Sequence, residues 1–423
     1  MRRQLESRGS ALVTSTRLRD GLRRVRTIRR RLMGEPPTLH YFHGVADPYS
    51  HLAAQLLPAL AAAYGLRVVP HLVPAPAAEV APEPERLLGW SIRDAGQLAA
   101  AHGLAFPADA RAPAADAVRA AEGVLAGLTD PAAFSEAAFR VGTALWRGQP
   151  FDAPTRDAQA ALAEGAAALA KAGHYLPGVF AFEGECYWGV DRLPHLEARL
   201  ADLRQSPPMG PPVVRQLEAS DRRGDVRRAP LEFFLSFRSP YTHIAAARVR
   251  ALADRWNAEL LLRPVLPMVM RGLPVPLEKR MYIVRDTKRE ADRLGLPFGR
   301  ICDPVGTGVE RGLAVLHRAI ALGRGPDFVE SFLQGAFAEG VDATTDAGLL
   351  GLAERTGLSA ADVQAALADE SWRAIAEQNR ERMFGLGLWG VPAFRVGNLP
   401  AHWGQDRLWA VEQDLGRIAG GIA

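Results

Sequence analysis

Cysteine is nearly absent. Two occur in 423 residues, Cys186 and Cys302, too few and too far apart for a disulfide scaffold, a cysteine zinc site or a Cys-x-x-Cys redox pair. No metal is expected. Long apolar runs are missing as well. None approaches the roughly 18–20 residues of a membrane span, and the opening residues carry no apolar core of a secretory leader. A cytoplasmic setting is the expectation. Charge of one sign is not in large excess. The net charge of +4 reflects arginine use rather than a strongly basic surface, so no nucleic-acid partner is expected. Lysine is scarce, with three residues (Lys171, Lys279, Lys288) among 51 basic ones. With 48% hydrophobic and 23% charged residues, the chain is an ordinary globular one able to bury two cores.

The chain does contain a repeat. Asp47-Pro48-Tyr49-Ser50-His51 lines up with Ser239-Pro240-Tyr241-Thr242-His243, 192 positions later. The same offset joins Gly65 to Asn257, Pro82 to Pro274, Asp94 to Asp286, Gly103 to Gly295 and Phe106 to Phe298. Further on, Pro177 and Trp188-Gly189-Val190-Asp191-Arg192 recur as Pro392 and Trp403-Gly404-Gln405-Asp406-Arg407, now 215 positions apart. A period this long is too great for a solenoid unit and reads as two tandem domains. The extra 23 positions fall in Gly357 to Asn379, with Ser359 as a helix cap. The first copy has only the alanine-rich stretch Asp157 to Lys171 there and reads as trimmed.

Residues 1–36 stand apart. Eleven arginines accompany three acids. Leu18, Leu22, Val25, Ile28 and Leu32 recur at steps of 4, 3, 3 and 4, one face of a helix with arginines opposite. Such a helix suits an anionic membrane or nucleic acid; the plainer reading is a helix docked on its own domain or a partly disordered leader.

Each copy opens with a strand, His40–His43 and Leu231–Leu235. A helix follows from Pro48 or Pro240, since proline is preorganised for a first helical position, and runs to Ala63 or Trp256. A second strand, Leu66–Val69 or Ala258–Leu262, completes a βαβ unit. A helical middle comes next, clearest at Ala133–Trp146 and Gly312–Gly323. A strand after Pro177 or Pro392, a hairpin and a last helix (Asp191–Leu203, Asp406–Ile418) close each copy. Between the copies lie Pro207-Pro208 and Pro211-Pro212 among charges, a linker signature.

That order of elements is a thioredoxin fold with an inserted helical domain. Phe237-Arg238-Ser239-Pro240-Tyr241, Pro276 to Lys279, Tyr282, Asp286, Gly295-Leu296-Pro297-Phe298, Gly390-Val391-Pro392-Ala393-Phe394 and Trp403-Gly404-Gln405-Asp406-Arg407 resemble the 2-hydroxychromene-2-carboxylate isomerase family. That family is close to kappa-class glutathione transferases, in the DsbA-like thioredoxin superfamily. The likeness runs through 230–418 and, more loosely, 38–203. The expected fold class is α/β, with two tandem DsbA-like thioredoxin domains, each bearing an inserted helical subdomain. The expected boundaries are a basic segment 1–36, a degenerate domain 37–203, a linker 204–229 and a second domain 230–423 carrying the active site.

In disulfide oxidoreductases of this superfamily the loop before the first helix reads Cys-Pro-x-Cys, where the helix N-terminus stabilises a thiolate. Here it reads Ser239-Pro240-Tyr241-Thr242, so dithiol exchange through this loop is excluded. A helix end that holds anions remains, suited to a thiolate brought by glutathione. The resemblance implies that Ser239 donates its hydroxyl to that sulfur; a serine there also simply caps the helix. In the first copy Asp47 sets a negative charge where the thiolate belongs, which opposes thiol activation. The resemblance further implies cis peptide bonds at Val391-Pro392 and Leu176-Pro177, the backbone of Val391 before Pro392 pairing with the tripeptide. It puts Gln405 and Asp406 at the γ-glutamyl end of glutathione and Lys279 near a substrate carboxylate. Tyr241 is a further candidate substrate contact, and either Arg271 substitutes for an asparagine of the family or the ligand differs.

One departure stands out: Pro267 to Leu273 contains no asparagine where the family carries one. His51 and His243, repeated in both copies, read as packing residues. Cys302 reads as semi-buried and Cys186 as inert. The implied activity is a glutathione-dependent isomerase or transferase acting on an aromatic-derived keto acid. The first copy then serves as an intramolecular pseudo-dimer partner, and a homodimer remains open. The alternatives are a non-catalytic thioredoxin-like binding protein and an oxidoreductase-like protein that has lost its cysteine pair.

Overall fold

In a computed structural model, which describes residues 2–153, 156–203 and 210–421, the chain falls into two compact units. The N-terminal unit takes in Asp20–Leu217 and Pro276–Tyr282; the C-terminal unit takes in the segment up to Arg19, Glu218–Val275 and everything from Ile283 onward. The opening segment is two helices, α1 (Arg2–Val13) and α2 (Thr16–Leu32).

The N-terminal unit is built on β1 (Thr38–His43), α3 (Pro48–Ala54), α4 (Leu57–Tyr64), β2 (Arg67–Leu72), α5 (Pro84–His102), α6 (Ala115–Leu125), α7 (Pro131–Arg147), α8 (Gln159–Ala172), β3 (Val179–Phe182), β4 (Glu185–Trp188) and α9 (Leu193–Leu203). Its sheet runs β2-β1-β3-β4, with β1 and β2 parallel and the other neighbours antiparallel. Tyr41, Phe42, Phe134, Trp146, Phe180 and Phe182 are fully buried. The single helix expected after Pro48 is two. Pro58 has no N–H for the helical ladder, so α3 ends at Ala54 and α4 restarts with proline in its first turn.

The C-terminal unit contains β5 (Pro230–Leu235), α10 (Pro240–Arg255), β6 (Glu259–Pro264), α11 (Leu277–Leu294) from Ile283 onward, α12 (Thr307–Ala321), α13 (Gly325–Gln334), α14 (Asp346–Glu354), α15 (Ala360–Leu367), α16 (Trp372–Gly385), β7 (Ala393–Val396), β8 (His402–Trp403) and α17 (Leu408–Ala419). The sheet order is β6-β5-β7-β8, with the same parallel and antiparallel pairings. With no proline at the position equivalent to Pro58, α10 is unbroken. The 23 extra positions form α15 and most of α16, and Ser359 caps α15 in a reciprocal capping box with Asp362. Phe233, Phe237, Ile244, Val249, Leu313, Phe332, Phe394 and Val411 form the core. The one acid on β5, Glu232, is buried. Arg263 donates to it at 2.8 Å and Arg382 grips it at 2.6 and 2.8 Å, the pairing a buried charge requires.

Pro207 and Pro208 of the expected linker lie outside the described residues. Its described part is anchored at both ends. The amides of Val213 and Val214 donate to Glu197 of α9 at 2.7 and 2.8 Å, and those of Ser220 donate, with its hydroxyl, to Glu412 of α17 at 2.7 and 2.8 Å. Among the described residues no helix is long and apolar enough to cross a membrane.

Candidate functional site

The strand β5 hands the chain to α10 through Ser236–Ser239, and Ser239 sits at the helix cap. Its backbone is extended, and its Oγ accepts from the Thr242 amide at 3.1 Å. The hydroxyl in turn donates to the Val391 carbonyl, a long contact of 3.5 Å. The Val391-Pro392 bond, in the loop before β7, is cis. At the other side of the cap, Arg238 holds Asp303 through Nε and Nη2 at 2.8 and 2.7 Å. Thr242 is fully buried, and its Oγ1 finds no hydrogen-bond partner.

The proline loop is shaped by two indoles. Trp389 and Trp403 meet edge to face at 4.9 Å, and a Cβ on Gly390 would stand 2.2 Å from the Trp403 ring. Only glycine fits between them. Arg271, in a short 3-10 turn at Met268–Arg271, donates through Nη2 to the Trp389 carbonyl at 3.1 Å and lies over Phe384. An asparagine of α16 packs under the end of β6: the buried Asn379 donates Nδ2 to the Pro264 carbonyl at 3.1 Å.

After β8, Gln405 and Asp406 open the turn before α17. Gln405 is buried. Its Oε1 accepts from Arg248 at 2.7 Å and its Nε2 donates to Glu290 at 3.1 Å. Burial lowers the Arg248 pKa, against the pull of Glu290 and Asp406. Asp406 is half-buried and pairs with Arg407 at 3.3 Å. The Tyr241 hydroxyl donates to Asp286 at 2.8 Å, and Arg289 also contacts that carboxylate. His243 donates Nε2–H to the Pro297 carbonyl (2.9 Å) and clusters with Phe298 and Phe337; burial lowers its pKa. Cys302 is buried, with its amide bonded to the Ala336 carbonyl.

The structure thus brings Ser239 and Val391 together. Arg271 is held to the same proline loop, while Tyr241 and Gln405 turn their polar ends into buried partners. Lys279 belongs to the N-terminal unit. There its ammonium donates to the Val80 carbonyl at 2.8 Å, and burial lowers its pKa to about 8. The Arg238–Asp303 pair, Thr242 and the two tryptophans escaped the sequence reading. Arg238 and Trp403 stood inside the quoted motifs, but nothing in their spacing pointed to their partners.

In the N-terminal unit Asp47 caps α3 as Ser239 caps α10. One carboxylate oxygen accepts both the amide and the hydroxyl of Ser50, at 2.8 and 2.6 Å. Burial pushes its pKa to about 6, partly opposed by those bonds. Tyr49 donates to Asp94 at 2.8 Å, the same pairing as Tyr241 with Asp286. His51 stacks on Phe139, and burial lowers its pKa to about 4. One expectation is corrected: Val391-Pro392 is the only cis bond among the described residues, so Leu176-Pro177 is trans. Pro177 packs instead on Gly44, where a Cβ would come within 2.7 Å of its ring.

Residues 230–416 match the model of the DSBA-like thioredoxin domain. Among solved structures, a 2-hydroxychromene-2-carboxylate isomerase is 19% identical, with a TM-score of 0.39, over 45% of this chain and 97% of its own. Cytosolic disulfide reductase DsbM from Pseudomonas aeruginosa is 23% identical, with a TM-score of 0.37, over 45% and 97%. The same reductase with GSH is 20% identical, with a TM-score of 0.33, over 45% and 98%. No curated protein matches the chain. Residues 230–416 are a DsbA-like thioredoxin domain, in a chain of mixed α/β architecture.

Proposed function

We propose that the C-terminal unit is a glutathione-dependent isomerase or transferase acting on an aromatic-derived keto acid or a related electrophile. The observation that carries the reading is Ser239. It stands at the head of α10, opposite the cis Val391-Pro392 bond, in a loop that has no sulfur of its own. A thiol brought by glutathione meets there the positive end of a helix dipole and a hydroxyl proton, both of which favour its thiolate. The thiolate adds to an electrophilic carbon of a double bond conjugated with the keto group, forming a C–S bond while the π pair moves onto the keto oxygen. In isomerisation the adduct rotates, and the sulfur leaves with its electron pair. In transfer the bond stays and a proton is taken up.

In this reading the backbone of Val391 pairs with the tripeptide and Asp406 receives its α-ammonium, while Gln405 braces that turn through Arg248 and Glu290. Arg271 meets the substrate carboxylate beside the proline loop. Tyr241 offers its ring, its hydroxyl being bound to Asp286. Lys279 keeps a structural place in the N-terminal unit. That unit is read as the first half of a tandem duplication. Its strand order and its Tyr49–Asp94 pair repeat those of the second half, and Asp47 in place of Ser239 has ended thiol activation there.

The capping bond from Thr242 to Ser239 favours a second reading, a non-catalytic binding module in which the serine is only a cap. Two variants separate the readings. Ser239→Ala removes both hydroxyl and cap; Ser239→Asp keeps the cap and repels a thiolate. The thiolate absorbance of glutathione bound to the full chain, followed against pH, is expected to report ionisation well below the free thiol's pKa of about 8.5. In Ser239→Ala the transition moves back toward that value, with about 1 kcal/mol of stability lost with the cap. Ser239→Asp loses the thiolate signal at unchanged melting temperature. An ionisation indifferent to Ser239 defeats the enzymatic reading; retention on immobilised glutathione with that indifference supports the binding module.

A further inference from the structure

The helix α2 is docked the wrong way round for a helix that belongs only to its own domain. Its polar side faces the protein. Arg23 clasps Glu185 through two bonds of 2.6 and 2.7 Å. Arg30 and Thr27 take the two oxygens of Glu183 at 2.8 and 2.9 Å. The apolar side, which should seek the core, faces solvent. Leu22 is 47% exposed, Val25 63%, Ile28 56% and Leu32 83%, and Met33 beyond the helix 58%. At 100° per residue these helical positions lie on the side opposite Arg23, Thr27 and Arg30. Exposed arginines accompany the stripe. Arg24 and Arg31 run along one edge, Arg31 also reaching the Leu203 carbonyl at 3.2 Å. Arg29 stands beside Leu22, while Arg26 turns back to the Glu183 carbonyl at 2.8 Å.

We propose that this open face docks the protein on an anionic lipid bilayer, lying in the headgroup plane. The charge pattern selects that occupant. A bilayer surface of anionic lipids offers negative charge to the arginine rims and an acyl boundary to the stripe between them. A second copy of the same face sets arginine rim against arginine rim, which like charge opposes. A nucleic acid satisfies the arginines but leaves the apolar stripe with no partner, since its affinity comes from phosphates. The helix is far too polar to cross the bilayer, so it rests on the surface. The acid pair Glu183 and Glu185 holds it there from behind. The proposal is independent of the chemistry at Ser239.

The test is co-sedimentation of the full chain with phosphatidylcholine vesicles, with and without about 30% phosphatidylglycerol. Binding to the anionic vesicles alone, weakened by salt, is expected. Val25→Glu with Ile28→Glu abolishes it at unchanged melting temperature, both side chains being exposed. Arg24→Gln and Arg31→Gln each lower partitioning about fivefold. Equal binding to neutral vesicles, no binding to anionic ones, or binding that survives the paired glutamates overturns the proposal. So does a dimer in light scattering, or an RNA complex, that the paired glutamates dissolve.

Discussion

Asp47 and Ser239 occupy equivalent caps, yet they present opposite chemistry to whatever approaches the helix end. The serine keeps a proton to give; the carboxylate holds a negative charge in a half-buried position, and burial raises its pKa from 3.8 to about 6. The sign of the consequence is fixed. A carboxyl that grips its proton more tightly in the folded state stabilises the fold at low pH. That contribution is complete below the unfolded pKa and is lost as pH rises through about 6. Asp47→Asn keeps the acceptor for the Ser50 amide and cannot ionise. Its melting temperature is expected to match the parent's near pH 4 and to exceed it at pH 8. The two-unit shift corresponds to a gain of about 2 kcal/mol after discounting for partial solvation. Melts of both proteins across that range check it; a variant no more stable at pH 8 than at pH 4, relative to the parent, refutes the assignment.

Local signals carried furthest at the level of elements. Proline at Pro48 and Pro240 marked two helix starts, and strand positions followed from short apolar runs bounded by turns. What could not be read was anything fixed by pairing across the chain. Pro58 was visible, but its effect on one copy alone required weighing a lost backbone donor against alanine's helical preference. Pro177 packs against Gly44, a contact 133 positions away in sequence that no local signal announces. At the candidate site the motif residues were legible because a resemblance named them. Arg238 with Asp303, and Asn379 with Pro264, were not, because no periodicity links such partners. Gly390 is the sharpest instance. It looks like loop punctuation, yet it is the space into which Trp403 fits. Gly390→Ala must move an indole ring or the proline loop, and overpacking of this kind costs about 1–3 kcal/mol. A urea titration of the C-terminal unit's transition measures the cost, and glutathione binding is expected to weaken alongside it.

Across the whole molecule, the opening helices divide their allegiance between the units. Residues up to Arg19 belong with the C-terminal unit and Asp20 onward with the N-terminal one. α1 is held by small hydroxyls rather than by charge. Ser10 accepts the Ile301 amide at 2.9 Å and donates to the Gly299 carbonyl at 2.9 Å. Thr14 reaches the same carbonyl at 3.3 Å, and a Cβ on Gly299 would stand 2.4 Å from the Thr14 hydroxyl. The loop they cover leads directly to Cys302 and to Asp303, the partner of Arg238. Deleting Arg2–Thr14 leaves Ser15, whose hydroxyl accepts the Leu18 amide, so α2 keeps its start. The loss of two interactions worth about 1 kcal/mol each is expected to lower the C-terminal transition by about 4–8 °C. The N-terminal transition stays where it was, and co-sedimentation with anionic vesicles persists because the exposed stripe lies beyond the cut. Calorimetry resolves the two transitions. An equal fall in both, or in the N-terminal one alone, refutes the division of the opening segment between the units.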